Sequence, residues 1–205
     1  MKKNYLYRML IPLDKLFMKL YRVEYKNNEL IAKNEKIILA GNHTSKLDPL
    51  LLMSSSNRVI HFLAKIELFS GIKKHFFNNL GLIPVDRSKR NPQAIKKSIE
   101  FLNQGEIIGI FPESTINKTD DLIMPFKKGA VVMAYETDSK ILPFAITGKY
   151  CFLKKSVKLS FGIPYKVTGN KEMDIKILED KVKELIRSNS WWKYIKLVIL
   201  FLKLF

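Results

Sequence analysis

Ile37-Ile38-Leu39-Ala40-Gly41-Asn42-His43-Thr44-Ser45-Lys46-Leu47-Asp48-Pro49 opens on four apolar residues and closes on a helix-start signal. A short apolar run bounded by turn residues reads as a buried strand. Gly41-Asn42-His43 then carries polar groups off the strand end, the edge at which α/β proteins bind and transform substrates. Asp48 followed by Pro49 suits a helix start, because Asp caps free amides and proline has no amide to lose there. A second register makes Ser45 the cap and Asp48 its reciprocal carboxylate. In either register the loop can fold His43 beside Asp48. An aspartate accepting from one ring nitrogen would leave the other as a base. The same residues also read as a turn histidine and a simple cap, and spacing leaves both readings open.

Moving outward from this stretch, strand and helix signals alternate, which predicts one α/β domain. A helix is expected after Pro49, then a strand at Val59–Ala64 in which His61 reads as a satisfied wall residue. Leu82–Arg87 reads as a short edge strand, since Pro84 cannot donate to a ladder. It delivers Arg87, which can form bidentate bonds to a phosphate or simply pair with Asp86 in a turn. Asn91-Pro92 starts a helix with an apolar stripe at Ala94, Ile95, Ile99 and Leu102. Ile107–Phe111 reads as a strand that ends in Pro112-Glu113-Ser114, so Glu113 is either a site carboxylate or a turn acid. A helix follows Gly129, and Ile141–Ile146 reads as a strand with its proline near one end. Residues 150–168 read as a hairpin-like excursion reversing at Gly162–Tyr165, and Met173–Arg187 as an amphipathic helix.

The two ends of the chain differ from its middle. Residues 1–22 carry Lys2, Lys3, Arg8, Lys15, Lys19 and Arg22 between apolar positions at helical intervals, with Pro12 expected to kink or divide the helix. Such a segment can lie in a membrane interface or pack across the domain. Residues 187–205 are basic and aromatic, with no acid after Glu184. Their longest apolar run, 197–202, is far short of the roughly 20 residues that span a bilayer. An interfacial helix or packing against a neighbour is expected instead. The expected organisation is a membrane-interface segment over 1–22, the α/β domain over 23–186 and a basic interfacial helix over 187–205.

The chain has 205 residues, and Lys plus Arg number 36 against 19 Asp plus Glu, a formal charge of +17. An anionic partner is therefore expected, either an anionic bilayer or a nucleic acid. No zinc-finger spacing or RNA-binding signature accompanies the charge, so nucleic acid is the disfavoured partner. The lone Cys151 allows no intramolecular disulfide. Dinucleotide-binding and P-loop fingerprints, paired-cysteine zinc spacing and a nucleophile elbow are all absent.

His43-x4-Asp48 within Gly41-Asn42-His43-Thr44-Ser45, then Gly81–Arg87, Phe111-Pro112-Glu113-Ser114-Thr115 and Leu142-Pro143-Phe144-Ala145 form an ordered set of blocks. Together they resemble the glycerolipid acyltransferases of the lysophosphatidate acyltransferase type. The resemblance implies an acyltransferase domain with a mixed, largely parallel sheet flanked by helices. It places the protein on the cytoplasmic face of the cell membrane, peripheral or monotopic. It also implies acyl-CoA or acyl-carrier protein as donor, a lysophospholipid acceptor and no cofactor. His43 would be the general base and Asp48 its support, with Arg87 on the acceptor phosphate. Glu113, Ser114, Thr115 and Lys118 would belong to the acceptor site, and Pro143 would support the donor side or the core. One departure stands out: the family's third block reads Phe-Pro-Glu-Gly-Thr-Arg-Ser, whereas this chain has Ser114 for the glycine and Ile116 for the arginine. The second change removes a phosphate fork that Lys118, Lys127 and Lys128 replace only as point charges. It leaves another lysophospholipid, an ornithine-lipid precursor or a glycan as alternative acceptors, while the charge of +17 and the amphipathic ends leave a non-enzymatic membrane- or nucleic-acid-binding module as the further alternative.

Overall fold

The apolar run forms β2 (Ile37–Gly41), all five residues buried, near the middle of a seven-stranded sheet. A computed structural model describes residues 4–31, 36–71, 73–86, 88 and 91–202, with side chains as far as residue 189. Along the chain follow α1 (Tyr5–Lys19), β1 (Glu24–Lys26), β2, α2 (Asp48–Ser54), β3 (Ile60–Lys65), α3 (Lys73–Asn79), β4 (Ile83–Val85), α4 (Pro92–Asn103) and β5 (Ile107–Ile110). The remaining elements are α5 (Gly129–Thr137), β6 (Lys140–Gly148), β7 (Val157–Phe161) and α6 (Lys171–Leu202).

The strands lie in the order β1-β7-β6-β2-β5-β3-β4. Five of them, β6 to β4 in that order, are mutually parallel, whereas β7 is antiparallel to β6 and β1 follows β7. Parallel strands put their carboxyl ends on one edge, so the loops after β2, β3, β4 and β5 leave the sheet side by side.

Alternation along β2 builds two cores. Ile38 and Ala40 face a layer made with Ala94 and Leu102 of α4, Ala130 and Ala134 of α5, and Leu178, Val182 and Ile186 of α6. Ile37 and Leu39 face Leu51 and Leu52 of α2, Met18 of α1, and Phe144, Leu159 and Phe161. A strand covered on both faces has no polar positions, and each fully buried Ile or Leu stabilises the fold by about 1.5–3 kcal/mol. The sheet is thus mixed, largely parallel and flanked by helices, as the sequence led us to expect.

Several local expectations require correction. Residues 5–19 form one helix that runs unbroken through Pro12, which sits on the exposed side while Tyr7, Ile11 and Met18 are buried on the other. Pro143 lies inside β6 rather than near its end. Its carbonyl accepts from the amide of Gly162 at 2.8 Å, on the flank where β7 has just ended, so its missing donor breaks no regular ladder. Gly162–Tyr165 does not reverse the chain, because Tyr165 bridges Ile141 antiparallel to β6 and so prolongs the direction of β7. The reversal comes earlier, where Lys149 donates to the carbonyl of Ser156. The C-terminal helix α6 continues from Lys171 to Leu202 with no break at 186–187. The interfacial reading of the terminal segment concerns side chains from residue 190 onward, which lie outside the described ones.

Candidate active site

His43 follows β2 by two residues and is held there through its main chain. Its amide donates to Glu113 Oε1 at 2.7 Å, and its carbonyl accepts from the Asn117 amide at 2.8 Å. Asn42 extends the β2–β6 ladder with its side chain, donating to the Ile146 carbonyl at 2.9 Å and accepting from the Ile146 amide at 2.8 Å. Before it, Gly41 packs so closely on β6 that a Cβ would lie 2.1 Å from the Phe144 carbonyl oxygen, which excludes any side chain.

The histidine and aspartate meet. His43 Nδ1 lies 2.9 Å from Asp48 Oδ2, both residues buried. The same oxygen accepts from the amides of Thr44 at 2.6 Å and Ser45 at 2.8 Å. Neither capping register read from the sequence holds as drawn. The residue before α2 is Leu47, with no side-chain cap, while Asp48 turns back over the preceding loop and Ser45 Oγ accepts only from the Leu47 amide at 3.2 Å. A carboxylate so ringed by donors is an obligate acceptor, so Nδ1 carries the proton and Nε2 carries the lone pair. The imidazole also stacks on Phe111, centroids 4.2 Å apart and 20° between planes.

Glu113 is 4% exposed. Its second oxygen accepts from the Met124 amide at 2.7 Å, so both carboxylate oxygens are engaged by main-chain donors. Burial pushes its pKa up, partly offset by those two amide bonds. Glu113 therefore ties the third-block loop to the main chain at His43.

Beside this clamp lies a cavity of about 360 Å³ lined by Lys65, Glu67, Asp86, Ser88, Glu113, Ser114, Thr115 and Lys127. Its walls come from the ends of β3, β4 and β5 and the approach to α5. Of the expected acceptor residues, Glu113, Ser114 and Thr115 line it, whereas Lys118 is exposed outside that lining. Arg87 lies outside the described residues. Lys65 was not among the expected site residues, and only the parallel pairing of β3 and β4 brings it here. His61 is buried beneath the neighbouring strands, its Nδ1 2.7 Å from the Gly81 carbonyl and its ring stacked on Phe101. It is half satisfied rather than fully so, because Nε2 has no partner, and burial pushes its pKa down.

Residues 22–147, which span the parallel strands and both motif loops, match the family described as Acyltransferase. The chain belongs to this family. It is 33% identical over 148 residues to the 1-acyl-sn-glycerol-3-phosphate acyltransferase of Bacillus subtilis, covering 69% of this chain and 73% of that one. It is 32% identical over 167 residues to the enzyme of that name from Borreliella burgdorferi, covering 78% and 65%. It is 28% identical over 182 residues to the probable enzyme of that name from Mycoplasma genitalium, covering 85% and 66%. The chain thus spans between 65% and 73% of the length of these relatives. The crystal structure of the 1-acyl-sn-glycerophosphate acyltransferase of Thermotoga maritima has the same fold, with a TM-score of 0.69 over 90% of this chain and 81% of that one at 23% identity.

The Oδ1 atom of Asp48 has two further polar partners, and one of them, Tyr150, had no signal in the sequence. Tyr150 donates to Asp48 Oδ1 at 2.7 Å, and Thr44 Oγ1 approaches the same oxygen at 3.2 Å. Thr44 lies within the motif, whereas Tyr150 is 102 residues from Asp48 and reaches it only because β6 lies beside β2.

Proposed function

We propose that the protein transfers a fatty acyl group from acyl-CoA or acyl-carrier protein to the free hydroxyl of 1-acylglycerol-3-phosphate, forming phosphatidate. The observation that carries this reading is the buried 2.9 Å contact between His43 Nδ1 and Asp48, which leaves Nε2 as a base. Family membership and the names of the relatives support the same reaction and acceptor. His43 Nε2 takes the proton of the acceptor hydroxyl as its oxygen attacks the thioester carbonyl. The tetrahedral adduct then collapses to the ester as the carbon–sulfur bond breaks, and the leaving thiolate takes the acceptor's proton from the imidazolium. Asp48 holds the tautomer and stabilises the transient positive charge. Lys65 and Lys127 supply positive charge at the cavity for the acceptor phosphate.

The acyl donor and acceptor reach this site from a membrane surface in our reading. Tyr5, Met9, Leu13, Leu16, Phe17 and Leu20 form an exposed apolar stripe along α1, and Phe152 and Leu153 stand exposed beside its end. Lys19 and Lys154 flank them. A basic, aromatic-rich amphipathic surface of this kind suits the interface of an anionic bilayer. Among the described residues no helix is long and apolar enough to cross a membrane.

Labelled acyl donor and lysophosphatidate supplied to the purified protein should yield phosphatidate, and His43→Ala should abolish it. Unchanged turnover by that variant would sink the general-base role. Ile116 in the place of the family's third-block arginine favours one second reading, a lysophospholipid with a different headgroup. Competition between lysophosphatidate and such acceptors decides it, and exclusive use of lysophosphatidate rejects it.

A further inference from the structure

Tyr150 belongs to none of the acyltransferase motifs, yet its hydroxyl lies 2.7 Å from Asp48 Oδ1. Its ring is held edge-on by Tyr21, centroids 5.8 Å apart and 85° between planes. Tyr21 in turn meets Phe17 at 5.4 Å and Phe152 at 6.3 Å, also edge-on. The loop carrying Tyr150 is tied to the end of α1 as well, since the Leu153 amide donates to the Leu20 carbonyl at 2.7 Å. The phenol is therefore backed by the Tyr21 ring, itself packed on Phe17 and Phe152, and its hydroxyl donates to one oxygen of the buried carboxylate.

We infer that Tyr150 is a positioning residue for the acyl-transfer reaction, fixing the rotation of the Asp48 carboxylate and setting how strongly that carboxylate draws on the His43 Nδ1 proton. The inference rests on the reading of His43 as general base. Oδ2 of Asp48 is shared by His43 Nδ1 and the amides of Thr44 and Ser45, whereas Oδ1 has Tyr150 and the longer contact from Thr44 Oγ1. Without the phenol, Oδ1 keeps only that 3.2 Å contact in a fully buried site. Bonds to a charged group are stronger than neutral ones, so this loss both frees the carboxylate to turn and leaves its charge less dispersed. Burial, followed by the charge of Asp48, pushes the Tyr150 pKa upward, which keeps the phenol protonated as a donor.

The sign of the effect follows from the charge. A carboxylate relieved of one donor presents a stronger negative field to His43 and stabilises the imidazolium. The base then frees its lone pair only at higher pH. Tyr150→Phe keeps the ring in its aromatic corner and removes only the hydroxyl. We expect its kcat to fall about tenfold below neutral pH, with a smaller loss above, as the acid limb of the rate profile moves to higher pH. KM for both substrates should stay near the wild-type value. Fluorotyrosine placed at position 150 keeps the ring and strengthens the donor, so it should move the limb the opposite way.

The experiment measures kcat and KM across pH for the wild type, Tyr150→Phe, the fluorotyrosine protein and His43→Ala in one acyl-transfer assay, with thermal melts in parallel. Opposite shifts of the acid limb for the two Tyr150 proteins support the inference. An unmoved limb overturns it, whether the rate is unchanged or falls equally at all pH with a lowered melting temperature. A rise in KM alone also overturns it, because that marks a substrate contact. Activity surviving in His43→Ala strikes the general-base reading instead, so the two failures are distinguishable.

Discussion

Ser114 holds a φ of 63°, in the left-handed region, at the turn that sends the third-block loop back toward His43. A non-glycine residue there costs about 1–2 kcal/mol, and glycine avoids that cost while losing some backbone entropy. The serine hydroxyl compensates little, since its contact with the Pro112 carbonyl is 3.5 Å. Ser114→Gly should therefore stabilise the fold by up to ~1 kcal/mol, read as a higher urea midpoint at unchanged slope. An unchanged or lowered midpoint would show that the serine has a compensating role. At this scale the sequence was legible where partners are close in the chain. His43, Thr44, Ser45 and Asp48 lie within six residues, so their meeting was one of the two readings that spacing offered, although neither helix-cap register held. Asn42 with Ile146, and Asp48 with Tyr150, are pairs separated by 104 and 102 residues, and nothing local marks them. Glu113 was visible as a strand-end acid, but its two main-chain partners depend on long-range structure, Met124 on the path of the loop that follows and His43 on the pairing of β2 with β5.

Between α1 and the domain, the element scale shows a conflict. Tyr7, Ile11 and Met18 bury one side of α1 against α2 and the sheet, and Asp14 is carried into the same buried side. Neither of its carboxylate oxygens has a partner. Burial raises its pKa from 3.8 to about 7. A carboxyl whose folded pKa is raised binds more protons folded than unfolded, so stability falls as pH rises between these two values and stays lowered above the upper one. Asp14→Asn removes the charge but keeps the shape. The variant should match the wild type near pH 4 and exceed it above pH 7 by on the order of 1–2 kcal/mol, checked by urea unfolding at both pH values. A difference independent of pH would contradict the titration. The helical intervals of residues 5–19 made this element readable, since its apolar positions repeat at the right period. Gly162-Ile163-Pro164-Tyr165 was misread for the opposite reason. Glycine and proline announce a turn, and only the bridge from Tyr165 to Ile141 reveals that the chain is following an existing strand.

For the whole molecule, the parallel sheet determines where the His43 loop and the cavity stand. The carboxyl ends of β2, β3, β4 and β5 deliver His43, the cavity and its lysines to one edge, and the loop after β6 links Asp48 to the end of α1. In the proposed docking, a net charge of +17 draws the protein to an anionic surface, and the apolar stripe then inserts. These two contributions separate experimentally. Leu13 and Leu16 are 61% and 60% exposed, so replacing both with serine removes apolar area without altering charge and should leave thermal stability nearly unchanged. Full insertion of each leucine contributes about 1.5–3 kcal/mol, so even partial insertion predicts vesicle binding at least roughly tenfold weaker in the double variant. Raising the ionic strength toward 1 M shortens the Debye length to about 3 Å and should weaken the charge-driven part in both proteins. Sedimentation with anionic vesicles at low and high salt measures both effects. Wild-type binding that survives salt better than that of Leu13→Ser/Leu16→Ser would show insertion of α1, whereas identical salt curves would show that charge alone holds the protein at the surface.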